Sequence, residues 1–146
     1  MQIEIKMDSS VKEPKVLVIV GQMTDEVNDI LRRLAQESPQ MLAGCREEEV
    51  HLLEQEELYR VYAEEGKVFG VTQDGTYALR RRLYELEEQL DKKRFVRISN
   101  SEIVNLKQVK SFDLSFAGTI CVALRDGTVT YVSRRYVSKI KQVLGI

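Results

Sequence analysis

Residues 94–105 decide the fold, and they read Arg94-Phe95-Val96-Arg97-Ile98-Ser99-Asn100-Ser101-Glu102-Ile103-Val104-Asn105. Two short apolar runs, rich in β-branched residues, enclose a polar knot at Ser99-Asn100-Ser101. β-branched and aromatic residues favour strands, whereas Asn and Ser satisfy backbone groups in turns. The segment therefore predicts two strands, over residues 95–98 and 103–106, joined by a polar turn.

A succession of short strands continues on both sides of this segment, from about Met41 onward. Apolar alternation and turn signals predict further strands at residues 50–53, 58–64, 67–72, 76–79, 109–116, 119–124 and 128–132. The dipeptides typical of hairpin turns are Glu65-Gly66, Asp74-Gly75 and Asp126-Gly127. Apolar residues at helical spacing predict two short helices, over residues 83–90 and 137–144. The pattern is typical of a mainly β (α+β) domain, which we place at residues 46–146.

The N-terminal residues 1–45 predict a separate strand–strand–helix extension. Residues 2–6 alternate apolar and polar side chains, and residues 16–20 form a continuous run of Val, Leu and Ile that is typical of a buried strand. Thr24 is a suitable N-cap for a following helix. The apolar side chains of that helix recur up to Ser38-Pro39, where the proline should end it.

The charge of the chain is unevenly distributed. The 22 Lys and Arg against 23 Asp and Glu give a formal net charge of −1, which by itself argues against nucleic-acid binding. Residues 77–146, however, carry 14 Lys/Arg and 7 Asp/Glu, a net of +7, whereas residues 1–76 carry 8 and 16, a net of −8. Such asymmetry is typical of a nucleic-acid-binding part that is joined to something else.

Several functional classes are not expected from the residues present. The single His51, with no activated nucleophile and no phosphate-binding loop, leaves no recognisable catalytic set, so no enzyme, metal site or cofactor is expected. Cys45 and Cys121 follow no metal-ligand spacing and are expected to be free thiols in a reducing cytoplasm. No apolar run approaches the roughly 20 residues that span a bilayer, and no signal-peptide core follows Met1. We therefore expect a cytoplasmic protein that does not itself span a membrane.

Four segments within residues 50–146 together resemble the LytTR DNA-binding domain, a β-rich reader found in bacterial transcription regulators. They are Asp74-Gly75, residues 82–90, residues 95–105 and Val132-Ser133-Arg134-Arg135-Tyr136-Val137. The match looks closest to short stand-alone members without a receiver domain, because only about 50 residues precede it. The resemblance implies a regulator of transcription that reads the major groove of double-stranded DNA sequence-specifically through loops at strand ends.

The resemblance also implies roles for particular residues. The base-contacting Asn of the family falls on Asn100, and its base-contacting Arg falls on Arg135. The chemistry agrees, because an Asn amide matches adenine N6 and N7 and an Arg fork matches guanine O6 and N7. A third family loop falls on Glu64-Glu65-Gly66-Lys67, where the two carboxylates favour a phosphate contact from Lys67 over a base contact. The other candidates for phosphate contacts are Arg97, Ser99, Ser101, Ser133, Arg134 and Lys139.

Partners follow from the size of such a module and from the resemblance. A homodimer on paired half-sites is expected, because one small loop-reading module contacts few bases. The resemblance also implies a co-encoded membrane protein that restrains stand-alone members. Residues 1–42, read as the acidic part of the chain, are a candidate surface for this partner or for dimerisation, and equally a structural cap.

Plainer interpretations of the same residues stay open at this point. Ser99-Asn100-Ser101 reads equally as an ordinary turn, and Arg134-Arg135 as a solvated helix start. Tyr136 either packs or touches the sugar-phosphate backbone. The rival function is a non-DNA protein- or ligand-interaction module that uses the N-terminal βα unit.

Overall fold

The computed structural model describes residues 1–35 and 41–146, and its backbone divides into two compact units, Met1–Glu37 and Ser38–Ile146. The strands of the described residues all lie in the second unit: β1 Leu42–Arg46, β2 Glu49–Leu53, β3 Arg60–Glu64, β4 Lys67–Thr72, β5 Gly75–Leu79, β6 Phe95–Ser99, β7 Glu102–Asn105, β8 Val109–Asp113, β9 Ile120–Leu124 and β10 Val129–Val132. The helices are α1 Asp25–Ala35 in the first unit, and α2 Leu83–Gln89 and α3 Arg134–Leu144 in the second.

Two antiparallel sheets make up the second unit. The larger sheet has seven strands in the order β2-β1-β5-β4-β3-β7-β6, and the smaller has three in the order β10-β9-β8. Helix α2 buries Leu83 and Leu86 in an apolar cluster with side chains of the larger sheet. Helix α3 buries Ile140 in a second cluster, which is built mainly from the small sheet and from β6 and β7. The strand-rich class that the sequence predicts is confirmed.

Strands β6 and β7 are buried on both faces. Phe95 and Ile103 belong to the cluster that contains α2, whereas Val96 and Val104 belong to the cluster that contains α3 and the small sheet. Burial on both faces explains why these strands read as nearly continuous apolar runs instead of a strict alternation. A strand pair that is close-packed on both sides gives a firm base to the turn that joins it.

Strand β1 is the main element of the domain that the sequence analysis does not predict. It pairs with both β2 and β5 although Ala43 and Gly44 have low strand propensity. A Cβ on Gly44 would lie 2.7 Å from Leu53 Cδ1 and 2.9 Å from Tyr77 Cβ. Gly44 is therefore a site of close packing over the backbone, and packing overrides propensity here.

Two hairpin turns use left-handed backbone at both central residues, as short hairpins require. Between β3 and β4, Glu65 has φ 51° and Gly66 has φ 77°, so this predicted turn is confirmed. Between β1 and β2, Glu47 has φ 51° and Glu48 has φ 68°. Left-handed backbone costs a residue with a Cβ about 1–2 kcal/mol, so Glu47 and Glu48 each adopt an unfavourable backbone conformation in the second turn.

The first unit contains the predicted helix. The Val27 N–H donates to Thr24 Oγ1 at 3.3 Å and the Asn28 N–H donates to the Thr24 carbonyl at 3.0 Å, which confirms Thr24 as the N-cap of α1. The predicted helix end at Ser38-Pro39 lies outside the described residues.

The two predicted N-terminal strands are wrong. Residues 2–6 and 16–20 have no strand pairing in the described structure. Ile3 and Ile5 are 83% and 88% exposed, and Leu17 and Ile19 are 73% and 86% exposed. An apolar pattern forms a strand only where a neighbouring strand pairs with it, and the described part of this unit contains no strand.

Candidate nucleic-acid interface

Asn100 lies at the tip of the turn between β6 and β7. Ser99 pairs with Glu102 across the two strands, so Asn100 and Ser101 are the central residues of this turn, and both are exposed. The strand register shifts between Arg97 and Ser99, which marks a β-bulge. Bulges often accompany functional sites because they re-aim a side chain.

Arg97 holds the backbone of this turn. Its Nε donates to the Ser99 carbonyl at 2.7 Å, and its Nη2 donates to the Asn100 carbonyl at 2.6 Å. Its Nη1 donates to Glu87 Oε2, on α2, at 2.5 Å. The Arg97 side chain is 13% exposed, so most of its surface is committed inside the domain. Charge-assisted hydrogen bonds of this kind are short and directional, and they connect the turn to α2.

Helix α3 approaches the same turn with its N-terminus. The Ser133 N–H donates to the Ile98 carbonyl at 2.9 Å, which fixes the start of the helix against β6. The Tyr136 hydroxyl donates to Asn100 Oδ1 at 3.2 Å. Arg135 precedes Tyr136 in the first turn of α3 and is exposed. The Asn100 turn is thus joined to the first turn of α3, which carries Arg135.

The two serines beside Asn100 stabilise the turn itself. The Ser101 N–H donates to Ser99 Oγ at 3.1 Å, and the two hydroxyl oxygens lie 3.3 Å apart. The Ala63 N–H donates to the Ser101 carbonyl at 2.8 Å, which attaches the turn to the end of β3. The hairpin that carries the exposed Lys67 follows β3 directly, so Lys67 and Asn100 lie at the same end of the larger sheet.

Glu102 joins the two sheets immediately after the turn. Its Oε2 lies 2.8 Å from Arg60 Nη1 on β3, and its Oε1 accepts a hydrogen bond from Thr130 on β10. The Glu102 side chain is 9% exposed and that of Arg60 is 23% exposed. The guanidinium of Arg60 also lies over the Tyr62 ring, 4.4 Å from its centroid. A buried charge needs such partners, and here they connect both sheets below Asn100.

Arg134 lies against the β8–β9 loop. Gly118 has φ 74°, and a Cβ at this position would lie 3.3 Å from Arg134 Nε. The same loop begins at Asp113, whose carboxylate accepts hydrogen bonds from the hydroxyl and the N–H of Ser115. These bonds, the hydroxyl bond first, lower the pKa of the Asp113 carboxyl below its ordinary value.

Lys139 lies one helical turn after Arg135, on the same face of α3. It lines a groove of about 440 Å³ between α2 and α3, together with Lys92, Glu87 and Glu88. The groove carries charges of both signs, so Lys139 is exposed among carboxylates. Arg134 thus lies beside the β8–β9 loop, and Lys139 lies beside the groove that Arg97 also lines.

Four of the predicted site residues form or hold the β6–β7 turn: Arg97, Ser99, Asn100 and Ser101. Three are consecutive residues at the start of α3, which the Tyr136 hydroxyl joins to this turn: Ser133, Arg134 and Arg135. Lys67 lies at the same end of the larger sheet, and Lys139 lines the groove between α2 and α3.

The sequence gives no signal for two supporting residues, and it leaves the role of a third open. Glu87 and Glu102 each bind an arginine from another element, at separations of 10 and 42 residues, and no local pattern signals such pairs. For Tyr136, the sequence leaves open whether it packs or touches DNA. In the structure its ring packs on the apolar cluster that contains Ile140 of α3, and its hydroxyl binds Asn100. The dipeptide Arg135-Tyr136 was the available signal, because Tyr combines a packing surface with a polar tip.

The acidic charge of the chain lies mainly in the first half of the domain. Residues 1–42, read above as the acidic part, carry 5 Lys/Arg and 7 Asp/Glu, a net of only −2. Residues 43–76, which span β1 to the start of β5, carry 3 and 9, a net of −6. The basic half that follows carries Asn100 and Arg135.

The described residues hold no helix long and apolar enough to cross a membrane. Within residues 1–35 and 41–146, no three His, Cys, Asp or Glu side chains are grouped so that they could hold a metal ion. Cys45 and Cys121 are both free thiols.

The fold and the site define a class of protein: a β-rich domain that exposes an amide on a turn between two strands and a guanidinium in the first turn of its last helix. Residues 48–145 match the family model described as the LytTr DNA-binding domain. The chain is 31% identical over 147 residues to an uncharacterized HTH-type transcriptional regulator of Staphylococcus aureus strain NCTC 8325, covering 100% of this chain and 99% of the relative. A namesake from strain MRSA252 is 30% identical over the same shares of both chains.

A solved structure shares the fold. It is the LytTr DNA-binding domain of a putative methyl-accepting/DNA response regulator from Bacillus cereus, with a TM-score of 0.72 and 21% identity over 75% of this chain and 100% of that one. The chain belongs to the LytTR family of DNA-binding domains. In this chain five strands separate α2 from α3, so these two helices form no helix-turn-helix. The bacterial origin of the relatives agrees with the resemblance noted in the sequence.

Proposed function

We propose that the protein is a bacterial transcription regulator that binds double-stranded DNA sequence-specifically, in the cytoplasm and without enzymatic activity. The observation that carries the proposal is the hydrogen bond between Tyr136 and Asn100, because it joins the exposed Asn100 turn to the first turn of α3, where Arg135 is exposed. The names of the relatives, which describe transcriptional regulators, support the same role.

Asn100 and Arg135 are the residues that read bases in this proposal. An Asn amide offers a donor and an acceptor to adenine N7 and N6, and an Arg guanidinium offers two donors to guanine N7 and O6. Each well-formed bidentate pair discriminates against a wrong base by about 1–3 kcal/mol. The contacts that hold the Asn100 turn favour this role, because Arg97 connects the turn to α2 and the Ser101 carbonyl connects it to β3.

The phosphate contacts of the proposal come from cationic and hydroxyl side chains on the β6–β7 turn, on α3 and its N-cap, and on the β3–β4 hairpin. Lys67, Arg134 and Lys139 are exposed cations, and Ser99, Ser101 and Ser133 add hydroxyl groups. Arg97 has weaker support as a phosphate contact, because it is 13% exposed and already binds three acceptors inside the domain. We assign it to holding the Asn100 turn in place.

A homodimer on paired half-sites extends the proposal. One module of this size contacts too few base pairs to be selective in a genome. The first unit exposes large apolar side chains that a second copy would cover, among them Leu17 at 73% and Ile19 at 86%. A co-encoded membrane protein that restrains the regulator, as the family resemblance implies, is the other proposed occupant of this unit.

Sedimentation velocity distinguishes the first unit from the domain as the dimer surface. The double variant Leu17→Asp/Ile19→Asp is expected to sediment as a monomer, because two carboxylates would be placed in the apolar contact. Leu52→Asp, at an apolar position on β2 that is 67% exposed, is the matched control and should leave the dimer intact. A dimer in the double variant, or a monomer only in the control, would reject this surface.

Selection of bound fragments from a random duplex library tests the proposed function. At about 0.15 M salt, where non-specific binding is weakened, the wild-type chain should enrich a motif, and the Asn100→Ala/Arg135→Ala variant should not. The circular dichroism spectrum should be the same for both proteins. No enrichment by folded wild-type protein would reject sequence-specific binding.

The rival interaction module receives less support. Such a module would use an N-terminal βα unit, but residues 2–6 and 16–20 form no strand in the described structure. The family to which the chain belongs is defined by DNA binding. A binding experiment with duplex DNA of random sequence, repeated at increasing salt, would favour the rival only if no binding occurs at any salt concentration.

A further inference from the structure

Tyr136 connects the two proposed reading positions through a side chain that has little freedom of its own. Its ring packs against the apolar cluster of α3, and its N–H donates to the Ser133 carbonyl at 2.9 Å in the first turn of the helix. A packed tyrosine ring fixes the position of its hydroxyl oxygen, and only the O–H bond still rotates. The hydroxyl is thus a fixed partner for Asn100 Oδ1 at 3.2 Å.

Asn100 is held in two different ways. Arg97 binds its backbone carbonyl at 2.6 Å, which places the Cα but leaves the side chain free to rotate. The side chain is exposed, and the terminal torsion of an Asn is broad and roughly two-fold in its preferences. Without a partner, the amide would present either its oxygen or its NH2 group to a DNA groove.

We propose that Tyr136 is a specificity-determining residue that acts through Asn100. Its hydroxyl takes one lone pair of Oδ1 and fixes the amide, so that the NH2 group and the second lone pair of Oδ1 remain for a base edge. This donor and acceptor match adenine N7 and N6, so the fixed amide selects adenine at the position that it reads. The inference rests on the proposed function, in which Asn100 reads a base pair.

Tyr136→Phe removes the hydroxyl and keeps the packed ring. The measurement is the ratio of Kd values for the selected operator and for the same operator with the base pair read by Asn100 changed. A neutral hydrogen bond contributes about 1 kcal/mol, so this ratio should fall about fivefold. Binding to duplex of random sequence should not change, because phosphate contacts are untouched. Tyr84→Phe, at a tyrosine that is 62% exposed on α2, is the matched control and should change neither value.

A double-mutant cycle shows whether Tyr136 acts through Asn100. In an Asn100→Ala background, Tyr136→Phe should have no further effect on the ratio, because the group that it orients is absent. An equal fivefold loss in both backgrounds would overturn the inference, since the hydroxyl would then contact DNA by itself. An unchanged ratio in Tyr136→Phe alone would also overturn it.

The side-chain NH2 resonances of Asn100 give a readout in the absence of DNA. In the free protein, Tyr136→Phe should shift these resonances and bring the two protons closer in chemical shift, as in a freely rotating amide. Unchanged resonances would overturn the inference even in a protein that binds its operator specifically. Shifted resonances together with equal binding of all duplexes by the wild type would instead reject the proposed function, and the specificity role with it.

Discussion

Glu102→Gln tests whether the ion pair below the Asn100 turn holds the two sheets together. The substitution removes the charge that faces Arg60 and keeps a side chain of nearly the same shape. It also keeps an acceptor for the hydroxyl of Thr130, which lies on the other sheet. The expected effect is therefore the loss of the ion pair alone.

The magnitude follows from the burial of the two side chains. Glu102 Oε2 and Arg60 Nη1 are 2.8 Å apart, and the side chains are 9% and 23% exposed. Breaking a buried pair costs about 3–5 kcal/mol, because the remaining charge stays buried without its partner. Arg60 keeps some contact with water and with the Tyr62 ring, so the free energy of unfolding should fall by about 2–3 kcal/mol.

Urea unfolding followed by circular dichroism measures this change. Glu56→Gln is the matched control, because Glu56 pairs with Arg94 at 3.0 Å but is 60% exposed. An exposed pair contributes about 0–1 kcal/mol, so the control should lose less than half as much stability as Glu102→Gln. Equal losses in the two variants would refute the argument that burial gives the Glu102 pair its importance.

Three further variants test the surface, a turn and a titration. Lys139→Ala should weaken binding to all duplex sequences about equally and lower the salt slope of log Kd by about 1, as fluorescence anisotropy would show; a sequence-dependent loss would contradict a phosphate contact. Replacing Glu47-Glu48 by Asn-Gly should raise the free energy of unfolding by about 1–2 kcal/mol in urea titrations, because both residues have left-handed backbone; a loss of stability would contradict the strain. Ser115→Ala should raise the pKa of Asp113 in an NMR titration, because it removes the hydroxyl bond that lowers this pKa. Because the pKa of Asp113 is lower in the folded than in the unfolded chain, its ionised carboxylate stabilises the fold above the unfolded-state pKa. This stabilisation is lost as the pH falls through the folded-state pKa. An unchanged pKa of Asp113 in Ser115→Ala would contradict the hydroxyl bond as its cause.

The fold could be predicted wherever local chemistry and packing agree. Residues 95–98 and 103–106 carry β-branched side chains around a turn-forming knot, and β6 and β7 form there. Strand β1 could not be predicted, because Gly44 is required by the side chains of Leu53 and Tyr77, which come from distant parts of the chain. The run at residues 16–20 shows the opposite error, since a continuous apolar run gives no information on whether a partner strand exists.

The sequence is enough to propose the exposed residues of the candidate site, but it does not reveal the contacts that hold them in place. The types of Asn100 and Arg135, together with the family pattern, are enough to propose base contacts. The Arg97 side chain was predicted to touch phosphate, and only the structure gives its bonds to Glu87 and to the turn carbonyls. Whether an arginine points to solvent or into the domain depends on elements that close on it after folding.

The central claim is that Asn100 and Arg135 each read particular base pairs, and a panel of operators with single base-pair changes tests it most directly. Wild-type protein should discriminate at two sets of positions. Asn100→Ala should become indifferent at one set while it keeps its discrimination at the other, and Arg135→Ala should show the reverse. If both variants weaken binding uniformly across the panel and stay folded, these residues do not read bases, and the account is contradicted.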